Sequence, residues 1–135
     1  MMNTQKTVLI LCTGNSCRSQ MAEALINHHL GPHIRAISAG TSPKVADGAI
    51  AALQQLGVNT AELHPKTVDS VMGESVDLVV TVCDNAKETC PVFPKKIATI
   101  HIPFHDPHGE PLESFVRVRD QIRDQLLPEI KRRLC

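Results

Sequence analysis

The fold is decided by residues 6–19, KTVLILCTGNSCRS, in which an apolar run ends in a loop of small and polar residues. Lys6–Leu11 is a short aliphatic run, and such runs are typical of strands buried in parallel sheets that are covered on both faces. A helix over Ser19–Leu30 follows, with Gly31 and Pro32 as its stop. This strand–loop–helix unit predicts an α/β domain built on a parallel sheet.

The rest of the chain continues this alternation of strands and helices. Strands are predicted over Ile34–Ala39, Val76–Val82 and Ile97–Ile102, helices over Asp47–Leu56 and Pro111–Arg133, and one or two helical turns over Lys66–Met72. Pro128 is expected to kink the last helix or to end it early. The order β-α-β-α-β-α-β-α predicts a single domain over residues 1–135 with right-handed crossovers.

Composition and charge exclude several classes of function. The chain has 135 residues, its 14 Lys+Arg balance its 14 Asp+Glu, and aromatic residues make up 2%, with no Trp or Tyr. Nucleic acid is not expected as a partner, because phosphate binding needs a basic excess and bases need aromatic platforms. Residues 8–11, VLIL, are too short for a signal segment or a membrane span. We therefore expect a cytoplasmic monomer without membrane contact.

Reactive side chains follow three of the predicted strands at the same edge of the sheet. Cys12 follows the first strand, Cys83 follows the third, and Asp106 lies just beyond the fourth. In open parallel sheets, ligands bind beyond the carboxyl ends of the strands. The sequence therefore predicts a functional site at this edge.

The loop after the first strand has the composition of an anion cradle. Cys12 and Arg18 are separated by five residues, all of them small or polar. Such a loop directs backbone N–H groups at one centre as it enters a helix, and an arginine adds a bidentate fork. Both features favour the thiolate of Cys12, a nucleophile for the central atom of phosphate or arsenate; the alternative is a buried structural cysteine. The predicted oxyanion-binding residues are Thr13, Gly14, Asn15, Ser16, Cys17, Arg18 and Ser19, with Cys17 as a small filler.

The segment Cys12–Ser19 resembles the phosphate loop of the low-molecular-weight protein tyrosine phosphatase superfamily, and the resemblance covers essentially the whole chain. Residues 38–41, SAGT, and Asp106–Pro107 stand where that family has its SAG segment and its general-acid loop. Residues 82–91, VCDNAKETCP, are similar to those of the thioredoxin-coupled arsenate reductases and add two cysteines that simple phosphatases lack. The resemblance implies a three-layer sandwich, with a four-stranded parallel sheet of order 2-1-3-4 and helices on both faces.

The resemblance also implies a role for each reactive residue. Cys12 is the nucleophile, Cys83 the second thiol and Cys90 the third, while Arg18 binds the anion and Asp106 is the general acid. Attack of the first thiolate on arsenate gives an arseno-cysteine, and attack of a second thiolate on that sulfur supplies two electrons and releases arsenite. A third cysteine moves the resulting disulfide outwards to an external reductant. The implied reductant is thioredoxin, with glutaredoxin and a low-molecular-weight thiol as the alternative.

Two other interpretations remain open. The first is a low-molecular-weight phosphatase in which Cys83 and Cys90 form a redox-protective pair. The second is a thiol redox sensor, or an oxyanion-binding module without turnover. No aromatic residue follows Asp106–Pro107, and the chain contains no Tyr, which argues for a small inorganic anion over phosphotyrosine. Release of arsenite under reducing recycling would separate these interpretations.

No resident cofactor or metal is predicted. His101, His105 and His108 lie close together in the chain, but the cysteine spacings are not those of structural zinc sites. Some members of the family hold potassium, and the residues here that match part of that site are Asn15, Glu23 and Ser38. Lys66 lies in the segment where a carboxylate ligand of that site is expected, which argues against bound potassium and makes Lys66 a candidate to replace its charge.

Overall fold

The computed structural model describes residues 5–14, 17–40, 45–83, 93 and 96–134. Within these ranges the elements are β1 (Lys6–Leu11), α1 (Arg18–Leu30), β2 (Ile34–Ala39), α2 (Asp47–Gln55), a 3-10 turn (Asp69–Val71), β3 (Leu78–Thr81), β4 (Thr99–His101) and α3 (Leu112–Leu134). The strands form one parallel sheet of order β2-β1-β3-β4. The predicted α/β class and strand order are confirmed.

The carboxyl ends of β1, β2 and β3 are aligned at one edge of the sheet. Leu11 at the end of β1 is in register with Ala39 of β2 and with Thr81 of β3. The ladder continues one step further, because the Cys12 N–H donates to the Ala39 carbonyl at 3.3 Å and the Val82 N–H donates to the Leu11 carbonyl at 3.0 Å. The residues after these strands therefore start from one common edge.

The two faces of the sheet are covered differently. Val8 and Ile10 of β1 point into the larger core, which the helices α1, α2 and α3 cover. Leu9 and Leu11 point to the opposite face, where a smaller core includes Val71 of the 3-10 turn. This alternation explains why β1 is apolar at every position from Val8 to Leu11: both of its faces are buried.

Some predicted elements differ from the observed ones. α3 continues through Pro128 to Leu134, so the expectation that Pro128 ends the helix early is wrong. A proline removes one hydrogen bond, but Leu126 and Ile130 on either side of it are fully buried, and their packing holds the turn. β3 and β4 are shorter than predicted, and Lys66–Met72 contains only the 3-10 turn. None of the described helices is long and apolar enough to cross a membrane.

Candidate active site

Cys12 lies at the carboxyl edge of the sheet, directly after β1. Its residue is 2% exposed, and its thiol is free. The backbone hydrogen bond to Ala39 fixes its position beside the end of β2. Since β1 is flanked by β2 and β3, Cys12 starts a loop at the centre of the edge, as the sequence predicts.

The loop that follows Cys12 leads directly into α1. Thr13 and Gly14 are half-buried, whereas Cys17 and the first helical residues Arg18 and Ser19 are buried. Asn15 and Ser16, which were also predicted to bind the anion, lie outside the described residues. Cys17 stands at the N-cap of α1 and makes no side-chain capping hydrogen bond, so it does not occupy the N–H groups of the first turn.

The side chain of Arg18 joins this loop to the segment after β4. It is 2% exposed, its Nη1 donates to the Phe104 carbonyl at 3.2 Å, and its Nη2 lies 3.6 Å from Asp106 Oδ2. A buried guanidinium needs such partners, because leaving it unpaired in the interior is costly. The fold therefore brings together Arg18 and Asp106, the predicted anion-binding arginine and the predicted general acid.

Two local hydrogen bonds stabilise the turn that contains Asp106. Asp106 Oδ1 accepts from the His108 N–H at 3.1 Å, and a hydrogen bond of 2.6 Å joins His105 Nε2 and Glu110 Oε2. The second bond lowers the pKa of Glu110 below its usual value. The contact of Glu110 was not predicted from the sequence, in which its signal is a carboxylate five residues after a histidine across a turn.

His101 and His105 each contact a neighbouring protein side chain. His101 Nδ1 lies 2.6 Å from Thr81 Oγ1 on the neighbouring strand, whereas His105 is paired with Glu110. Among the residues that the structure describes, no three His, Cys, Asp or Glu side chains come together in a way that could hold a metal ion. The contacts of His101 and His105 are thus with their protein neighbours.

Cys83 lies at the same edge as Cys12. It is fully buried, and it follows Val82, whose N–H donates to the carbonyl of Leu11. The sulfur of Cys83 is in a disulfide, whereas Cys12 and Cys17 are free thiols, so this state contains no bond between Cys83 and Cys12. Cys90, the predicted third thiol, lies outside the described residues.

The thiol of Cys17 lies in surroundings that disfavour its ionisation. Burial raises the pKa of the Cys17 thiol far above its usual range, the negative charges of Asp106 and Cys12 raise it further, and Arg18 opposes them. Cys17 is therefore a protonated thiol at neutral pH and a poor nucleophile. This supports the prediction that it serves as a filler.

A largely buried ion pair joins α1 to the loop segment that precedes the 3-10 turn. Glu23 Oε1 accepts a hydrogen bond of 2.8 Å from Ser38 Oγ and lies 3.2 Å from Lys66 Nζ. The same ammonium donates to the His64 carbonyl at 2.9 Å. Glu23, Ser38 and Lys66 were singled out from the sequence. Gln20 was not, although its Nε2 also donates to the His64 carbonyl, at 2.8 Å.

The sheet order, the loop from Cys12 to Arg18 and the adjoining Asp106 define a phosphatase-like α/β domain. The chain matches the low molecular weight phosphotyrosine protein phosphatase family over residues 7–133, and it belongs to that family. This confirms the resemblance expected from Cys12–Ser19.

Within this family the chain is similar to arsenate reductases. An arsenate reductase of Brevibacillus brevis is 39% identical over 122 residues, which cover 90% of this chain and 91% of that protein. The crystal structure of an arsenate reductase from Archaeoglobus fulgidus matches with a TM-score of 0.79 at 30% identity, covering 93% of this chain and 99% of that one. The structure of an arsenate reductase in a phosphate-binding state matches with a TM-score of 0.81 at 27% identity, covering 97% and 100%.

Proposed function

We propose that this protein reduces arsenate to arsenite, with Cys12 as the nucleophile and thioredoxin as the external reductant. The observation that carries the proposal is the pair of cysteines at the sheet edge: a free Cys12 after β1, and a disulfide-bonded Cys83 after β3. A phosphatase of this fold requires only the first of them. The similarity to arsenate reductases over nine-tenths of the chain supports the same function.

In the first step, the anion is held by the Arg18 guanidinium and by the backbone N–H groups of residues 13–19. The Cys12 thiolate attacks arsenic, so that an S–As bond forms and an As–O bond breaks. The leaving oxygen departs as water after it takes a proton from Asp106. The distance of 3.6 Å between Arg18 Nη2 and Asp106 Oδ2 supports this assignment, because a proton donor must lie within reach of the bound anion.

In the second step, the arsenic(V) of the arseno-cysteine is reduced. The Cys83 thiolate attacks the Cys12 sulfur, an S–S bond forms, and the S–As bond breaks with its electron pair on arsenic, which leaves as arsenite. Cys90 then attacks the Cys83 sulfur and frees Cys12, and a dithiol reductant returns two electrons and two protons. The role of Cys90 comes from the family resemblance, and the disulfide on Cys83 beside a free Cys12 supports this order.

Cys17 is the other thiol that could compete for the arseno-cysteine. Burial and the neighbouring negative charges raise its pKa, so it lacks the thiolate that disulfide exchange requires. The assignment of Cys83 as the second thiol comes from the family resemblance and is supported by its position after β3, at the same sheet edge as Cys12.

A phosphatase with a redox-protective cysteine pair is the second candidate function. Membership of the phosphatase family favours it, and the same loop would accept small phosphate esters. Hydrolysis of such esters does not by itself decide between the two functions, because an arsenate reductase with this loop retains the groups needed for it.

The deciding experiment measures NADPH oxidation with arsenate, thioredoxin and thioredoxin reductase, beside the same assay with glutathione and glutaredoxin. We expect thioredoxin-dependent turnover by the wild type, none by Cys12→Ser or Cys83→Ser, and near-normal turnover by the matched control Cys17→Ala. Cys83→Ser should still hydrolyse a small phosphate ester, because its anion loop is intact. Normal arsenate turnover by Cys83→Ser, or ester hydrolysis by the wild type without arsenate reduction, would contradict the proposal.

A further inference from the structure

Potassium, which the family resemblance suggests near Glu23 and Ser38, does not fit the arrangement in this chain. The Lys66 ammonium lies 3.2 Å from Glu23 Oε1 and 2.9 Å from the His64 carbonyl oxygen. Ser38 Oγ bonds to the same Glu23 oxygen at 2.8 Å. A metal cation bound to these oxygens would stand in contact with the ammonium, and two like charges at such a distance repel strongly in a partly buried site.

We propose that the Lys66 ammonium is a tethered cation that replaces potassium and positions the elements around the anion loop. The Glu23 residue is 8% exposed, and a carboxylate this deeply buried needs a compensating positive charge. Lys66 supplies that charge from within the chain. The side chains of Lys66 and Glu23 are 13% and 11% exposed, so solvent screens the pair only weakly.

The Glu23–Lys66 pair helps to connect one loop segment, residues 64–66, to two elements of the site. The Lys66 carbonyl accepts from the Gly40 N–H at 2.7 Å, which joins the segment to the end of β2. Gln20 and Glu23 join it to α1, through the carbonyl of His64 and the ammonium of Lys66. The end of β2 and the start of α1 are the two elements that flank the loop after Cys12.

Lys66 is therefore a positioning residue for the proposed oxyanion site, and this part of the inference rests on the proposed function. A tethered ammonium needs no ion from solution, so folding and anion binding should not depend on potassium. Removing the ammonium would leave Glu23 Oε1 and the His64 carbonyl oxygen facing a vacated space. Carboxylate and carbonyl oxygens are the donors that hard cations prefer, so an added cation should then enter.

The test compares thermal unfolding and phosphate binding in potassium chloride and in choline chloride at equal ionic strength. The matched control is Arg35→Met, which removes a basic partner from the exposed Arg35–Glu74 pair at 2.8 Å. Wild type and Arg35→Met should behave alike in both salts. In choline chloride, Lys66→Met should have a Tm roughly 5–10 °C below that of the wild type and should bind phosphate roughly 5–10-fold more weakly. Adding potassium or ammonium should reverse most of both losses.

If Lys66→Met does not fold, the double variant Glu23→Gln/Lys66→Met replaces it, because it removes both charges together. It should fold, melt close to the wild type and show no response to potassium. A potassium-specific gain in wild-type stability or phosphate affinity would overturn the proposal. So would a Lys66→Met variant that no monovalent cation restores, or a double variant that responds to potassium. Both readouts are measured without turnover, so a failure to reduce arsenate leaves this test intact.

Discussion

Arg18 connects two parts of the proposed site. Its guanidinium is buried, and it reaches Phe104 and Asp106 in the segment after β4 while its backbone begins α1. A planar fork can hold these partners and two oxygens of an anion, whereas an ammonium offers only a point charge. We therefore expect the chemistry of the proposed site to depend on the shape of this side chain as well as on its charge.

Replacing Arg18 with lysine should preserve the fold and remove most of the activity. We expect Arg18→Lys to lower kcat/KM for arsenate by about 10²-fold or more, because the bidentate contact is lost. Initial rates against arsenate concentration measure this, with the exposed Arg35→Lys as the control. Near wild-type rates for Arg18→Lys would show that a point charge suffices at this position.

Ionisation of the Cys17 thiol should make the free energy of unfolding depend on pH in the alkaline range. Its pKa lies well above the ordinary value of 9.0 because burial penalises the thiolate. Above about pH 9 the unfolded chain releases the Cys17 proton, whereas the folded chain retains it. The contribution of Cys17 to the free energy of unfolding is therefore complete below about pH 9 and decreases as the pH rises further. We expect the free energy of unfolding to fall more steeply from about pH 9 to about pH 11 in the wild type than in Cys17→Ala, as measured by urea titration. Parallel curves would contradict this assignment.

At the scale of the elements, the packing of α2 against α3 depends on one glycine. A Cβ on Gly48 would lie 2.6 Å from the ring of Phe115, which is buried in the larger core. The absence of a side chain therefore permits the close approach of these two helices. Helix propensity alone would favour alanine at this position by about 1 kcal/mol.

Gly48→Ala should destabilise the protein despite that propensity. Overpacking costs typically about 1–3 kcal/mol, and we expect a net loss of about 1 kcal/mol in the free energy of unfolding. Gly73→Ala is the matched control, since nothing lies within 4 Å of its added Cβ. The further substitution Phe115→Leu should reduce the effect of Gly48→Ala. Equal stabilities of wild type and Gly48→Ala would show that the ring moves aside freely.

At the scale of the whole molecule, the proposed cycle must carry a disulfide from Cys12 to a position that a protein reductant can reach. Cys83 and Cys90 are seven residues apart, which is about 10.5 Å along a continuous helix. A disulfide requires Cα atoms within about 7 Å. Residues 84–89 lie outside the described residues; the spacing alone predicts that a helix over them would have to bend or unwind for these two cysteines to join.

The cysteine variants should stop the cycle at different points. In a single turnover without external thiol, Cys83→Ser should release no arsenite. Cys90→Ser should release about one equivalent and stop as a Cys12–Cys83 disulfide, because exchange to the third thiol is lost. Peptide mapping after the turnover identifies the linkage. Repeated turnover of Cys90→Ser with thioredoxin at the wild-type rate would remove Cys90 from the cycle.

Several features could be predicted from the sequence because they depend on neighbours along the chain. The bounds of β1 and β2 agree with the predicted strands, and α1 begins within one residue of the prediction. The residue types at the sheet edge followed from the same pattern, since parallel strands end together. Pro128 shows the limit of such local rules, because the packing of Leu126 and Ile130 outweighs the preference of proline against a helix interior.

The sequence by itself determined the class of fold, the loop after β1 and the kinds of side chain available to the site. Only the tertiary structure decided which of them meet: Arg18 reaches Phe104 across 86 positions of the chain, and Lys66 reaches Glu23 from a different loop. It also decided that the pKa of Cys17 is raised, since that shift follows from burial and from the charge of Asp106. The physical reason is that periodicity reports which face of an element is buried, whereas distances and electrostatic fields between remote residues depend on how all the elements pack together.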